Sequence, residues 1–264
     1  AQAASAPVLL PARPHPPLRM AADEKAERAA KIPLCLFAKP PRPGRAKTRL
    51  AATIGNDAAC SLATAFISDC IALALEYDWG TAVLATTEDG MQDDENGFPR
   101  EAFPSGVDPA SVPRWLQPPG DLGAKLEAIV RQGLEAAPAV ICCGVDSPGR
   151  PRERLEEARR ELEGDCDAVL GPTEDGGYDI LGLSQCPEGL LADLPWSQPT
   201  TFEATKRRLE ERGMRVALLP RWWDVDEVED LQNLRALLGG EGGAARAPST
   251  AAALAAAGLA AEGA

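Results

Sequence analysis

Apolar runs and helical patterns alternate along the chain between residues 32 and 238. In residues 57–76, apolar side chains recur every three or four positions, which predicts a helix with a buried face. Residues 139–143 are all apolar, which is typical of a strand buried on both faces of a parallel sheet. The alternation predicts a three-layer α/β domain with a mainly parallel sheet. We expect strands at 34–38, 81–86, 139–143, 168–171, 178–183 and 215–219, and helices at 57–76, 122–136, 151–163, 201–212 and 228–238.

Both ends of the chain lack such a pattern. Residues 1–30 are rich in Ala, Pro and Arg, and we expect a disordered tail or the remnant of an organelle transit peptide. Residues 239–264 are first Gly-rich and then Ala-rich, which predicts a second, low-complexity tail. The folded domain is therefore expected at residues 31–238. The expected location is the cytoplasm, or an organelle stroma or matrix if residues 1–30 are a transit peptide.

Composition narrows the class of protein. The formal net charge is −13 and the isoelectric point is near 4.7, which argues against binding nucleic acid along a broad basic face. No apolar run approaches the roughly 18 residues that a membrane span needs. The seven cysteines include no C-x-x-C pair and mostly lie in apolar stretches, so we expect reduced, buried thiols in a reducing compartment. The single histidine, His15, argues against a zinc site.

Segment 37–50, FAKPPRPGRAKTRL, is a cationic exception in this acidic chain. It follows the first predicted strand and places five cations within eleven residues. In α/β sheets, ligands bind beyond the carboxyl ends of the strands. Gly44 would let the backbone come close to a ligand, and the prolines lower the entropy lost on ordering. We predict that the segment binds the phosphates of a nucleotide, although a solvated basic loop would carry the same pattern. The candidate phosphate contacts are Lys39, Arg45, Lys47 and Arg49.

Two carboxylates are candidate metal ligands. Asp146, in the sequence GVDSP, would lie at the carboxyl end of strand 139–143, where it could hold Mg²⁺ or Mn²⁺ together with diphosphate oxygens. Alternatively, Asp146 caps the helix that begins near Pro151. Asp226, in the sequence WWDVD, could be a second ligand, or it caps the last helix in a capping box with Glu229.

Three further acids have candidate roles. Glu174 and Asp175 precede a Gly pair between two short predicted strands, where they could bind an acceptor hydroxyl or act as a base. An ordinary hairpin is the alternative, because Asp-Gly is a favoured turn pair. Asp121 precedes a helix whose backbone N–H groups could lie near a base or phosphate, or it simply caps that helix.

Five segments, taken in order, resemble a known pattern: FAKPPRPGRAKTRL (37–50), GDLGAKL (120–126), GVDSP (144–148), LGPTEDGGYDILGL (170–183) and LPRWWDVDEVEDL (219–231). The chain is similar to a bacterial family of small glycosyltransferase-like proteins in the nucleotide-diphospho-sugar transferase superfamily. Some members of that family are described as arsenosugar-biosynthesis glycosyltransferases. More distant relatives include phospholactate guanylyltransferase and the molybdenum-cofactor guanylyltransferase. The resemblance covers about residues 32–238.

The resemblance implies a GT-A-like fold, with a mixed sheet between helices and a nucleotide bound at the first half of the sheet. It implies that segment 37–50, including Ala38 and Thr48, lines the nucleotide and its phosphates. Asp146 would stand at the place of the superfamily's metal-binding aspartate, and Asp226 would be a second ligand. The chain departs from the family pattern in two respects: it lacks a strict D-x-D, and it has Glu227-Val228 where Thr-Pro is common.

Two reactions fit these residues. In glycosyl transfer, Mg²⁺ or Mn²⁺ and the basic segment would stabilise the leaving nucleoside diphosphate of a nucleotide sugar, while Glu174 or Asp175 positions or deprotonates a small-molecule acceptor. In nucleotidyl transfer, a phosphorylated acceptor would attack the α-phosphate of a nucleoside triphosphate and release pyrophosphate. The family resemblance favours glycosyl transfer. A non-catalytic module that binds a nucleotide is the third hypothesis.

Overall fold

The computed structural model describes residues 30–260. The tail predicted at residues 1–30 lies outside this range apart from Ala30, and so do residues 261–264. Lys31 begins the unit that contains every strand and helix given below.

Seven strands of the described residues form one mixed sheet. In chain order they are β1 (Ile32–Phe37), β2 (Gly80–Thr86), β3 (Arg114–Leu116), β4 (Val140–Gly144), β5 (Ala168–Pro172), β6 (Tyr178–Leu183) and β7 (Val216–Leu218). In the sheet they lie in the order β3-β2-β1-β4-β6-β5-β7. Strand β6 runs antiparallel to β4 and β5, and the remaining pairs are parallel. The predicted α/β fold with a mainly parallel mixed sheet is confirmed.

Helices cover both faces of this sheet. Ile67 and Ile71 pack on one face together with Leu155, and Ile129 and Phe202 pack on the other. Two hydrophobic layers therefore enclose the sheet, as a three-layer domain requires. Within residues 30–260 the α-helices are α1 (Thr48–Ile54), α2 (Asn56–Leu75), α3 (Leu122–Leu134), α4 (Arg152–Glu163), α5 (Thr201–Glu211), α6 (Asp230–Gly239), α7 (Gly243–Arg246) and α8 (Pro248–Ala256).

Between residues 31 and 238, helix α1 and strand β3 were not predicted from the sequence pattern. Helix α1 begins inside the basic segment, so Thr48 and Arg49 belong to a helix rather than to a loop. Strand β3 has three residues and lies at the edge of the sheet, where it is too short for an alternating pattern to show.

The order of the strands determines where a ligand can bind. Strand β1 lies between β2 and β4, so the chain leaves β1 toward β2 and later returns to its other side. Phe37 pairs with Ala85 of β2 and with Gly144 of β4. Because these strands are parallel, the residues that follow Phe37 and Gly144 emerge next to each other. Open α/β sheets bind ligands at such a switch point.

Among the described residues, helix α2 meets the length and hydropathy criterion for a membrane-spanning helix, although Asp57 and Asp69 interrupt its apolar residues. It has 20 residues, and its mean hydropathy of 1.8 meets that criterion by length and composition alone. However, 61% of its apolar window is buried inside the protein. The helix packs on the sheet with one side and on α8 with another. Contacts on two sides account for its apolar composition.

The expectation of a low-complexity tail from residue 239 needs correction. Residues 243–256 contain α7 and α8, and these helices pack on the rest of the domain. Leu254 of α8 joins a hydrophobic cluster with Phe66 of α2 and Leu50 of α1. The cluster therefore connects the C-terminal helix to the start of α1, where the basic segment ends.

A buried carboxylate in α2 holds the start of α8. Asp69 accepts hydrogen bonds from the backbone N–H groups of Ser249, at 3.0 Å, and of Thr250, at 2.8 Å. Backbone N–H groups at a helix N-terminus have no acceptor within the helix, and a nearby side chain often accepts from them. The acceptor here comes from about 180 residues earlier in the chain, so the Ala-rich sequence of α8 does not reveal it.

Replacing Asp69 by alanine should lower the free energy of unfolding by about 1–2 kcal/mol, because two backbone donors lose their acceptor. Amide hydrogen exchange in α8 should become faster, since the start of the helix would no longer be held. Urea denaturation and hydrogen exchange measured by mass spectrometry test these effects. Asp57→Ala, which changes an exposed acid on the same helix, is the control. Unchanged exchange in α8 would show that Asp69 does not hold it.

Candidate functional site

Three adjoining cavities lie at the carboxyl edge of the sheet, beyond β1 and β4. The large cavity has a volume of about 680 Å³, the middle cavity about 260 Å³, and the acidic cavity about 230 Å³. Arg45, Lys47 and Asp146 line both the large and the middle cavity. Arg49 and Asp226 line both the middle and the acidic cavity. Because each cavity shares lining residues with the next, the three adjoin, and together we call them the groove.

The large cavity contains most of the predicted nucleotide contacts. Ala38 and Lys39, which directly follow β1, line it together with Arg45 and Asp121. Its volume is within the range of about 300–1,000 Å³ that is usual for small-molecule sites. The end of β1 and the start of α3 thus meet at one cavity, as expected for residues that bind one ligand.

Other polar residues of this cavity were not named as individual candidates from the sequence. Arg42 and Lys125 add two cations to its wall. Gln117 is buried, and its amide nitrogen donates to the Ala85 carbonyl at 2.6 Å, which orients the side chain at the wall. The motif GDLGAKL contains Lys125 and could have indicated it. Gln117 follows the unpredicted strand β3, so no sequence pattern placed it here.

Gly44 and Thr48 have different places in the site. Within the described residues, Gly44 does not line any of the three cavities. Its φ of 74° is left-handed backbone, which favours glycine, so Gly44 shapes the turn of the basic segment. Thr48, the first residue of α1, lines the middle cavity.

The ammonium group of Lys47 lies between the two predicted metal ligands. Its Nζ atom is 2.6 Å from Asp146 Oδ1 and 2.8 Å from Asp226 Oδ1. The side chain is only 7% exposed, and Nζ lies 5.8 Å from the centre of the Phe66 ring. Burial opposes the charged form, but the two carboxylates outweigh it and raise the pKa of Lys47 above its usual value. Lys47 was predicted to contact phosphate, and in the structure it pairs with these carboxylates.

The loops that carry the two carboxylates are joined to each other. The backbone N–H of Val225 donates to the Asp146 carbonyl at 2.8 Å, and the hydroxyl of Ser147 donates to Asp224. Burial raises the pKa of Asp224 to about 6; the hydrogen bond from Ser147 opposes this shift and the charge of Asp146 adds to it. Asp224 therefore joins the two loops, whereas Asp226 faces Lys47.

A buried ion network lies beneath the same loops. The carboxylate of Asp179 accepts hydrogen bonds at 2.8 Å from both Arg150 and Arg154, and all three side chains are almost fully buried. Arg150 also donates to the Gly144 carbonyl at 3.0 Å, and Arg154 donates to the Pro220 carbonyl. The network thus ties down the chain before Asp146 and before the WWDVD motif. A charged residue inside an otherwise apolar strand was the missed signal for Asp179.

Glu174 and Asp175 lie in the connection between β5 and β6 and line the acidic cavity. Asp175 Oδ1 accepts hydrogen bonds from the Thr173 hydroxyl at 2.6 Å and from the Gly177 N–H at 3.0 Å. The φ of Gly176 is 86°, and a Cβ atom there would overlap the carbonyl of Pro199. The hairpin alternative is therefore correct as a description of the loop, and the loop places both acids at the groove.

The three capping alternatives have different outcomes. Asp146 does not cap α4, because the N-cap residue is Pro151 and no side chain caps this helix. Asp121 caps α3, because its Oδ1 accepts the Ala124 N–H at 2.8 Å. The capping box at Asp226 is wrong, because α6 begins later, at Asp230. The carboxylate of Asp230 instead accepts the N–H groups of Asp226 and Glu227, each at 2.8 Å. The side chain of Asp226 thus points to Lys47 rather than back to the helix.

The donor set fits a divalent cation that is shared with phosphate. Both Oδ1 atoms lie within 2.8 Å of one nitrogen, so they are close enough to contact one cation. The carboxylates of Asp146 and Asp226 are 47% and 41% exposed. Among the described residues, no group of three or more His, Cys, Asp or Glu side chains could hold a metal ion alone. Mg²⁺ usually binds to one or two carboxylates, with phosphate oxygens and water completing its shell.

Solved structures of other proteins share the architecture of this chain. The chain is similar to a protein of Desulfovibrio desulfuricans G20 that is provisionally described as a nucleotide-diphospho-sugar transferase. Their identity is 24%, the match covers 85% of this chain and 94% of that one, and the TM-score is 0.70. At this level of identity, the likeness shows the fold, and it confirms the predicted nucleotide-diphospho-sugar transferase fold.

Two other structures are similar at lower identity. CMP:2-keto-3-deoxy-manno-octonic acid synthetase, complexed with CTP, shares 13% identity over 80% of this chain and 100% of that one, with a TM-score of 0.50. 4-Diphosphocytidyl-2C-methyl-D-erythritol synthase shares 12% identity over 79% of this chain and 98% of that one, with a TM-score of 0.51. Both show the same fold.

Sequence comparison gives a shorter match. Residues 82–198 match the sequence profile of a family described as "Uncharacterized protein conserved in bacteria (DUF2064)". This region includes Asp121, Asp146, Glu174 and Asp175. No curated protein sequence matches this chain.

Replacing Asp224 by asparagine should change the free energy of unfolding, relative to wild type, in favour of the variant as pH rises. Folding raises the pKa of the Asp224 carboxyl group to about 6. As pH rises toward that value, the unfolded state loses this proton while the folded state retains it. The free energy of unfolding of wild type therefore falls. Between pH 4 and pH 7.5 the variant should gain about 2 kcal/mol relative to wild type. Urea denaturation at both pH values, with a chelator present, measures the difference. Asp78→Asn is the exposed control, and an equal response of both variants would contradict the assignment.

Proposed function

We propose that this protein is a metal-dependent glycosyltransferase, which uses a nucleotide-diphosphate sugar as donor and a hydroxyl group of a small molecule as acceptor. The shared fold supports a nucleotide-transferring enzyme, and the charges along the groove support the positions that we assign to its substrates. The donor nucleotide occupies the large cavity, its diphosphate lies at the middle cavity, and the acceptor enters the acidic cavity. The arsenosugar type of reaction remains a prediction from the family resemblance.

Cations around the large cavity bind the donor. Lys39 and Arg45 donate hydrogen bonds to phosphate oxygens. The backbone of Ala38 lies beside the nucleotide. Arg42 and Lys125 add positive charge to the same wall. A hydrogen bond to a charged group contributes about 1.5–3 kcal/mol, so two or three of them would dominate the binding of a diphosphate.

Asp146 and Asp226 would hold Mg²⁺ or Mn²⁺ together with the donor phosphates. Held there, the ion would act as a Lewis acid and would stabilise charge on the leaving nucleoside diphosphate. The protein contributes the orientation of both carboxylates, because the bond from Val225 and the ions around Asp179 hold their loops. Arg49 and Thr48, at the start of α1, lie at the same position along the groove.

The acidity of the acceptor end is the observation that carries this proposal. Six carboxylates line the acidic cavity with a single cation, Arg49. Arg49 already pairs with Glu227 at 2.9 Å. A phosphorylated acceptor would bring at least one negative charge among these carboxylates, and like charges within one small cavity repel each other. A neutral hydroxyl acceptor meets no such barrier. The six are Glu174, Asp175, Asp224, Asp226, Glu227 and Asp230.

Glu174 and Asp175 provide the candidate base. The bonds from Thr173 and Gly177 hold one oxygen of Asp175 in a fixed direction. Glu174 is exposed at the same loop. A fixed carboxylate positions an acceptor hydroxyl, and a solvent-facing one can exchange the proton that it accepts. The loop therefore supplies both requirements of hydroxyl activation.

Nucleotidyl transfer is the second candidate, and the charge of the large cavity favours it. Five cations and three acids line that cavity, and a triphosphate carries more negative charge than a nucleotide sugar. One of the similar structures holds CTP. The acceptor would then be phosphorylated, which the acidic cavity disfavours.

A panel of donors separates the two reactions. The protein is incubated with nucleotide sugars and nucleoside triphosphates in the presence of Mg²⁺ or Mn²⁺. Slow hydrolysis of a nucleotide sugar to the diphosphate supports glycosyl transfer, because water replaces the missing acceptor. Pyrophosphate release from a triphosphate supports nucleotidyl transfer. Binding without turnover of either class would support the non-catalytic module and refute the proposal.

Replacing Asp146 by asparagine should reduce metal-dependent turnover at least about 100-fold, because the ion at the leaving group loses a charged ligand. The fold should persist, since the backbone contacts of the loop do not use this side chain. Turnover is measured at saturating donor over a range of Mn²⁺ concentrations, with circular dichroism as the check on folding. Asp78→Asn is the matched control. Full activity of the Asp146 variant would remove the metal from the proposal.

A further inference from the structure

The ammonium group of Lys47 lies where a divalent cation would bind. Its Nζ atom contacts the same two oxygens, Asp146 Oδ1 and Asp226 Oδ1, that would coordinate a divalent cation. A monovalent ammonium and a divalent ion cannot share these oxygens, because at ion-pair distances they repel each other strongly. One cation must therefore leave before the other can bind.

Several contacts hold the ammonium at this position. Lys47 lies immediately before α1 in a left-handed conformation, with φ 45° and ψ 51°. This conformation is unfavourable for a residue with a side chain and persists only where the surroundings impose it. The side chain is buried, with its ammonium near the ring of Phe66, while both carboxylates remain more than 40% exposed. The lysine is thus confined, and the carboxylates are accessible from the groove.

We propose that Lys47 is a resident counter-cation, which keeps Asp146 and Asp226 from binding a divalent cation until nucleotide phosphates draw its ammonium away. The inference rests on the proposed nucleotide and metal sites. It adds that the two ligands bind cooperatively, and that this one side chain couples them.

The shape of the groove provides the alternative partner for the ammonium. Lys47 lines both the large and the middle cavity, so phosphates in either cavity are within reach of its side chain. Phosphate oxygens accept charge-assisted hydrogen bonds as well as a carboxylate does. When the ammonium pairs with phosphate, the negative charge of the two carboxylates is no longer compensated, and they attract a divalent ion. By linkage, metal binding then strengthens nucleotide binding to the same degree.

The consequence is that removal of the lysine charge affects the two ligands in opposite directions. Metal should bind more tightly without nucleotide, because the competing cation is gone. Nucleotide should bind more weakly without metal, because a phosphate contact is lost. A lysine that contacted only phosphate would produce the second effect alone, and a lysine that paired only with the carboxylates would produce the first effect alone.

Lys47→Met tests this inference, because methionine keeps an unbranched stem near Phe66 and removes the charge. Binding of Mn²⁺ to the nucleotide-free protein is followed by electron paramagnetic resonance. Binding of a nucleoside diphosphate in the presence of a chelator is followed by calorimetry. Relative to wild type, we expect Mn²⁺ affinity to rise at least tenfold and nucleotide affinity to fall at least tenfold.

Arg45→Met is the matched control. Arg45 lines the same two cavities as Lys47, but within the described residues it forms no ion pair with Asp146 or Asp226. Its loss should weaken nucleotide binding and leave Mn²⁺ affinity unchanged. A second control, Asp146→Asn combined with Lys47→Met, should abolish the gain in Mn²⁺ affinity and so locate the ion at these carboxylates.

Unchanged Mn²⁺ affinity in a folded Lys47→Met variant would overturn the inference. Lys47→Gln is measured in parallel, so that an unfolded methionine variant does not decide the result. Failure of the proposed function has a different signature: wild type would bind no nucleotide with or without metal, while the gain in Mn²⁺ affinity would still report on the counter-cation.

Discussion

The buried carboxylate of Asp179, held between Arg150 and Arg154, is the interaction on which the geometry of the groove depends. The two arginines also bind the carbonyl groups of Gly144 and Pro220, so one ion network holds both chain segments that lead to the paired aspartates. Removing one member of a buried ion network leaves an uncompensated charge, which typically costs about 3–5 kcal/mol. Such a network gives a rigid support to loops that otherwise lie at the surface.

Above this support, charge changes sign along the groove. The large cavity is lined by more cations than acids, and the acidic cavity by six acids and one cation. In a chain with a net charge of −13, such a confined cationic region favours anions at one end of the groove. The other end disfavours anions by the same electrostatics. Between them, Lys47, Asp146 and Asp226 form a compact set of opposite charges.

The class of fold was predictable because helix and strand periodicity are local properties. The apolar run of β4 and the spacing in α2 were read correctly, and the parallel sheet followed from their alternation. A very short strand and a helix that is held by a distant residue were not predictable. Strand β3 is too short for a period, and the Ala-rich helix α8 is held by Asp69, whose contribution appears only when α2 packs on it.

The sequence determined which chemical groups are available: a basic segment after the first strand, and acids after later strands. Strand topology explains why several of them meet at one edge of the sheet. Only the tertiary structure decided their pairing, since Lys47 and Asp226 are 179 residues apart and no local pattern relates them. The same is true of Asp179 and its arginines. A side chain's partner depends on how distant segments pack, whereas its position along a strand or helix depends on neighbours a few residues away.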